Sequence, residues 1–242
     1  MKNEDRPIVR WTIGNVTKQG FSCLKKSIKS FVDCYGKDFD FYICYNNIAK
    51  PEINLNIDVK FTKQESTILE GSGSIWKYTP ARIDISKKEL FIDNDIVFIR
   101  KNNKILDFFN NNSFLICEDN IQYFGKFQHL FNEDEKFNAG LLGFPSGFDL
   151  ETNIIKIWKE HGSLQNIDSA DEQGLISFLI KSQLSFSVLN KEDIIILHPD
   201  GIVENIRSYS PLHDWFNHDA YHFVLINKKI HKHYNKMFIS LL

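Results

Sequence analysis

The chain has 242 residues, 43% hydrophobic, 25% charged and 14% aromatic, the make-up of a globular protein long enough to bury a sizeable core. Its 29 basic and 31 acidic residues nearly cancel, so no global field draws nucleic acid to it, and an anionic small molecule has to be held by local basic groups or a metal. The opening MKNEDRPIVRW has no signal-peptide core, no run is long and apolar enough to span a bilayer, and Cys23, Cys34, Cys44 and Cys117 form no CxxC or Cys/His cluster; the expectation is a cytoplasmic protein with reduced thiols.

Residues 8–13 form a short apolar run suited to a first strand. Ser22 can cap a helix over 23–35, where Leu24, Ile28, Phe31, Val32 and Tyr35 recur at helical spacing and Gly36 provides the stop. Residues 39–45 read as a second strand ended by Asn46-Asn47, so strand, helix, strand opens an α/β unit. Further on, 59–61 suit a strand, Gly71-Ser72-Gly73-Ser74 a flexible turn, 90–92 another strand, 105–109 a helix, and 113–117 a strand ending at Glu118-Asp119. NAGLLGF, 138–144, is a strand entered through a glycine. Residues 150–161 are an amphipathic helix stopped by Gly162, and 169–182 are a second, with Ser169 and Glu172 spaced as a capping box. Short strands follow at 186–189, 194–197, 202–206 and 222–226, with His198-Pro199-Asp200-Gly201 as a turn. No repeat or linker divides the chain, so one α/β domain is expected, with short antiparallel pieces in its C-terminal half.

The stretch LFIDNDIVFI, 90–99, raises a specific problem. Leu90-Phe91-Ile92 show no alternation, the mark of a strand covered on both faces, and Asp93-Asn94-Asp95 follow at once. Residues two apart share one side of a strand, so an unbroken strand would press two carboxylates together in the core at high cost. The pair asks for a cation, a basic partner, or a chain that leaves the sheet there. Ligands of open α/β sheets bind beyond the carboxyl ends of strands, where two carboxylates can take Mg²⁺ or Mn²⁺. The alternative is an Asp-Asn-Asp turn whose side chains bond their own backbone. A second triplet, Asp38-Phe39-Asp40, is most simply on a solvated edge or turn.

In this region the chain resembles nucleotide-sugar-dependent glycosyltransferases of the A-type fold, in the glycogenin and bacterial lipopolysaccharide galactosyltransferase branch. Asp93-Asn94-Asp95 matches that family's aspartate-x-aspartate motif after a buried strand. Ala81-Arg82-Ile83 resembles its alanine-arginine-leucine segment, and Phe137-Asn138-Ala139-Gly140 its asparagine-alanine-glycine segment. Glu172-Gln173 stand where the family has aspartate-glutamine at a helix start. His222 and Lys228 fit its C-terminal histidine and lysine, although Leu225, Lys229 and Ile230 replace a glycine, a proline and a tryptophan.

The resemblance implies an α/β fold with a mostly parallel central sheet, and a metal-dependent transfer of sugar from a nucleotide-diphosphate donor to a glycan or lipid-linked acceptor, with retention. It implies a single domain over 1–242, with 1–119 the nucleotide-sugar-binding half and 120–242 the acceptor-binding half. Asp93, Asp95 and His222 would hold Mn²⁺ or Mg²⁺; Arg82, Lys228 and Asp93 would contact the donor; Asn138, Glu172 and Gln173 would serve the reacting sugar. The capping box competes for Glu172, so Gln173 is expected nearer the cleft. The basic, apolar C-terminal segment KKIHKHYNKMFISLL suits either the inner face of an anionic membrane or packing as a last helix. Two alternatives stand beside this reading. A sugar-phosphate nucleotidyltransferase wants a glycine-rich basic loop after the first strand, which residues 13–20 match poorly. An inert sugar-binding protein of the same fold predicts that Asp93, Asp95 or His222 points away from a shared cavity.

Overall fold

In the computed structural model, residues 6–14, 18–45, 55–63, 73–161, 167–198 and 218–224 are described. β1 (Ile8–Ile13) presents Val9, Trp11 and Ile13 to one face and Ile8, Arg10 and Thr12 to the other, and all but Thr12 are buried. α1 (Lys18–Tyr35) lays Leu24, Ile28, Phe31 and Tyr35 along one stripe and ends at Gly36, whose φ of 89° suits glycine. It starts at Lys18, so Ser22 lies inside the helix and is not its cap.

β2 (Asp40–Tyr45), β3 (Val59–Lys63), β4 (Glu89–Ile92), β6 (Phe114–Glu118), β7 (Phe137–Phe144) and β8 (Phe186–Leu189) join β1 in a seven-stranded sheet ordered β3-β2-β1-β4-β7-β6-β8. Every pairing is parallel except the two made by β7. α1 and α2 (Asn103–Asn110, capped by Asn102) cover one face around Trp11, Phe31, Leu90 and Ile92. α3 (Leu150–His161) and α4 (Ser169–Lys181) cover the other around Tyr78, Phe91, Leu142 and Phe144. Phe31, fully buried and edge-on to Trp11 at 6.0 Å, shows the scale of this packing, since truncating such a ring to alanine costs about 3–5 kcal/mol.

β5 (Ile96–Phe98), β10 (Ala220–Phe223) and β9 (Ile194–Leu197) form a second sheet, with β10 antiparallel to β5 and parallel to β9. The acidic pair lies between the sheets. The chain leaves β4 at Asp93, turns through Asn94 and Asp95, and re-enters as β5, with Ile96 N–H reaching Asp93 O at 3.3 Å. Because β7 runs antiparallel to β4, its first residues stand beside the carboxyl end of β4: Ile92 pairs with Leu141, and Asp93 N–H donates to Gly140 O at 2.7 Å.

Among the described residues no helix is long and apolar enough to cross a membrane. The strand expected over 202–206, Lys228 and the C-terminal segment 228–242 lie outside the described residues.

Candidate functional site

Three side chains converge where β4 and β10 meet. Phe223 N–H donates to Asp95 O at 3.0 Å, and His222 pairs with Ile96 in the strand register, which sets its imidazole beside the turn. His222 Nε2 lies 3.2 Å from Asp95 Oδ1 and 3.8 Å from Asp93 Oδ2. One donor atom from each of the three lies within 4.8 Å of the others. Gly140 makes room for the ring, since a Cβ there would stand 2.7 Å from His222 Nδ1. Burial alone would lower the His222 pKa, but Asp95, with Asp93 and Asp119 behind it, outweighs burial and holds the imidazole above its ordinary value. Asp93 is raised by desolvation, against the pull of Lys77 and His222.

Lys77 borders this cluster and was not expected from the sequence. It sits in the short 3₁₀ helix Gly73–Tyr78, with its ammonium 2.9 Å from Glu172 Oε1 and 3.9 Å from Asp93 Oδ1. Burial would lower its pKa, yet Asp93 and Glu172 together raise it, so the group is a fixed cation. Tyr78, fully buried, donates its hydroxyl to the same Glu172 Oε1 at 2.6 Å. Burial lifts the Glu172 carboxyl above the usual range, opposed by Lys77 and Tyr78. Thr12, Ile92, Asp93 and Ala139 join Lys77 and Tyr78 around one pocket. The only signal for Lys77 in the sequence is a single cation within the aromatic run Ile75-Trp76-Lys77-Tyr78.

The donor set fits a divalent cation. Asp93, Asp95 and Glu172 bring three carboxylates around the ammonium of Lys77 and the imidazole of His222, an excess of acidic groups that a cation would offset. Two carboxylates and an imidazole on an open side suit Mn²⁺, which accepts oxygen and nitrogen ligands, or Mg²⁺.

A second polar cluster backs the first. Asp119, fully buried, accepts from Asn138 Nδ2 at 2.9 Å and contacts His198 Nε2 at 2.6 Å. Burial would raise Asp119, but His198 and Asn138 outweigh it and hold the carboxyl low. Asn138 Oδ1 in turn accepts from Gly140 N–H at 2.8 Å. Its amide is thus engaged at both ends in shaping the backbone under His222. Gln173 is buried and donates Nε2 to Tyr123 O at 3.1 Å.

Two expectations need correction. Arg82, expected at the donor, does not join the Asp93, Asp95 and His222 cluster. Its guanidinium bonds Glu89 Oε2 at 3.1 Å, Pro145 O at 3.1 Å and Phe148 O at 2.9 Å, at the amino end of β4 and so at the opposite end from Asp93. Glu89, buried in the strand, captures it. Glu172 is not a cap either. The cap is Asp168, which accepts from Ala170 and Asp171 N–H and forms a box with Asp171, so Glu172 is free to enter the site. Of the remaining candidates, Asp93, Asp95, His222, Asn138, Glu172 and Gln173 are brought to one end of the sheet, and Lys228 lies outside the described residues.

No protein-family model matches the sequence, and no curated protein does. Solved structures do resemble it. The galactosyltransferase LgtC, in complex with donor and acceptor sugar analogues, aligns with a TM-score of 0.62 at 15% identity over 97% of this chain and 94% of its own. Mouse xyloside xylosyltransferase 1, in its apo form, gives 0.52 at 10% identity over 91% of this chain and 98% of its own. The apo bifunctional glycosyltransferase WbbM gives 0.56 at 15% identity over 91% of this chain and 46% of the WbbM chain. Likeness at such identity carries architecture and leaves chemistry to be argued from the site. The chain has the A-type glycosyltransferase fold.

Proposed function

We propose that the protein transfers a sugar from a nucleotide-diphosphate donor to a glycan or lipid-linked acceptor with the help of a divalent cation, residues 1–119 carrying most of the donor site and 120–242 the acceptor side. The observation that carries this reading is the convergence of Asp93, Asp95 and His222 beside Lys77 at the carboxyl end of β4. The inert-scaffold alternative expected one of the three to point away, and they converge.

Breaking the bond from the anomeric carbon to the diphosphate oxygen moves negative charge onto the leaving group. A cation held by Asp93, Asp95 and His222 would neutralise that charge as a Lewis acid. Lys77 adds a fixed positive charge in a partly desolvated cleft, where it acts more strongly than in water. Glu172 has both its donors, Lys77 and Tyr78, on Oε1, and among the described residues Oε2 accepts from no protein donor. That oxygen is the one a sugar hydroxyl would meet. Gln173 lies one residue on along α4 and Asn138 shapes the floor.

Calorimetry with a panel of nucleoside diphosphates, with and without Mn²⁺, tests the reading. One base should bind, and Mn²⁺ should tighten it. A wild-type protein that binds none of them, or binds equally without metal, refutes it. Retention, which the family resemblance implies, is read from the anomeric NMR signal of the first-formed product.

A further inference from the structure

Arg10 is an unusual residue for the middle of a central strand. It has no exposed surface, and burying a guanidinium is costly unless its donors are met. Its partners show where it acts. Nη1 donates to Pro80 O at 2.7 Å and to Glu89 Oε1 at 3.2 Å; Nη2 donates to Lys77 O at 2.9 Å. The guanidinium lies 3.9 Å from the centre of the Phe91 ring, while Nε has no hydrogen-bond partner. Its two shortest bonds therefore go to backbone carbonyls of the segment that carries Lys77 and Tyr78, and not to its countercharge. Glu89, also fully buried, holds the far side of the same segment through Arg82 Nε at 3.1 Å and Ile83 N–H at 3.0 Å.

A core ion that served only the sheet would spend its donors on Glu89. Here one of them fixes the carbonyl of Lys77 itself, hence the start of the side chain whose ammonium reaches Glu172 and Asp93. We infer that Arg10 is a positioning residue, which fixes the 77–80 backbone from beneath and so sets the Lys77 ammonium between Asp93 and Glu172. The part of this inference that concerns donor binding rests on the glycosyl-transfer reading above. Charge alone would not suffice: a lysine at position 10 can face Glu89 but cannot present the planar fork that meets two carbonyls at once.

The test compares full-length wild type with Arg10→Gln, Arg10→Lys, Lys77→Met and the double variant R10Q/K77M. Two quantities are read: acetylation of Lys77 relative to the exposed Lys29 in the folded protein at fixed pH, by mass spectrometry, and affinity for the best nucleoside diphosphate with Mn²⁺. Arg10→Gln should raise Lys77 labelling and weaken the diphosphate roughly tenfold, Arg10→Lys should fall between, and R10Q/K77M should bind no worse than K77M, since one residue acts through the other. Unchanged labelling in folded Arg10→Gln, or losses that add in the double variant, overturns the inference. Should Arg10→Gln not fold, Arg10→Lys decides by the same labelling criterion. Should wild type bind no diphosphate, the glycosyl-transfer reading falls, and labelling alone upholds or overturns the role of Arg10.

Discussion

Lys77 Nζ stands 2.9 Å from Glu172 Oε1, joining a short 3₁₀ helix before β4 to the first turn of α4. Both side chains are largely withdrawn from water, at 19% and 6% exposure; Lys77 is the main compensation of Glu172, while Glu172 and Asp93 together compensate Lys77.

Removing one partner should therefore hurt more than removing both. Lys77→Met and Glu172→Gln should each lower stability by roughly 1–3 kcal/mol, because a charged group is left poorly solvated. The double variant K77M/E172Q should recover part of that loss, as neutral groups replace both charges. Turnover should not recover, since the ammonium proposed to face the leaving phosphate is gone; a fall on the order of a hundredfold is expected. Urea midpoints and initial rates on the four proteins settle this. Additive stability losses would mean that the pair is not coupled.

A second expectation concerns pH. The folded pKa of His222 lies above the ordinary 6.5, burial being outweighed by Asp95. The His222–Asp95 pair thus stabilises the metal-free protein fully below the unfolded value, and that contribution is lost as pH rises through the folded one. A cation needs the neutral imidazole, so protons compete with it over the same window. Mn²⁺ should raise the Tm more at about pH 8 than at about pH 6. The apparent Mn²⁺ affinity should rise through an inflection above 6.5, and His222→Gln should flatten that part of the profile. An increment in Tm that ignores pH in the wild type speaks against His222 as a ligand.

Gly140 offers a probe of the same site from behind. A Cβ would stand 2.7 Å from His222 Nδ1 and 2.8 Å from Asn138 Oδ1, closer than atoms tolerate, and neither neighbour is a loose surface chain. Gly140→Ala should destabilise the fold by about 1–3 kcal/mol through overpacking. It should also weaken Mn²⁺ binding by more than His222-independent sites would feel. A metal titration that matches wild type, on folded Gly140→Ala, would show that the ring has space the geometry denies it.

The sequence carried some of this plainly and hid the rest for identifiable reasons. The buried run ahead of Asp93 and Asp95 was legible because a strand covered on both faces has to stop where two carboxylates begin. His222 was visible only through the family resemblance. Its approach depends on β5, which the continuous apolar stretch at 96–99 concealed, and on the strand register that sets it opposite Ile96. Lys77 is marked only by its place in the aromatic run 75–78, because little local distinguishes a lysine that turns inward from one that lies on the surface. The role of Glu172 is ambiguous in the sequence for a reason of phase: Ser169-x-x-Glu172 and Asp168-x-x-Asp171 are overlapping cap patterns one residue apart. Local sequence admits both, and the choice decides which of two neighbouring carboxylates, about 100° apart around the helix, turns back to the cap. The structure uses the earlier one.

Arg82 makes the sharpest contrast between motif and place. The alanine-arginine pattern assigns it to the donor, whereas its guanidinium is 4% exposed and committed to Glu89 and three carbonyls at the amino end of β4. Glu89 is itself fully buried, so a variant that removes Arg82 leaves that carboxylate with Arg10 and the Ile83 N–H alone. Arg82→Met should consequently cost about 3–5 kcal/mol of stability, the range for breaking a buried ion pair. Glu89→Gln in the same background should return part of it. At temperatures where Arg82→Met remains folded, its donor KM should match wild type, whereas Lys77→Met should lose donor binding with a smaller stability cost. A raised donor KM in folded Arg82→Met, at unchanged Lys77 labelling, would restore the arginine to the donor and displace Lys77 from that role.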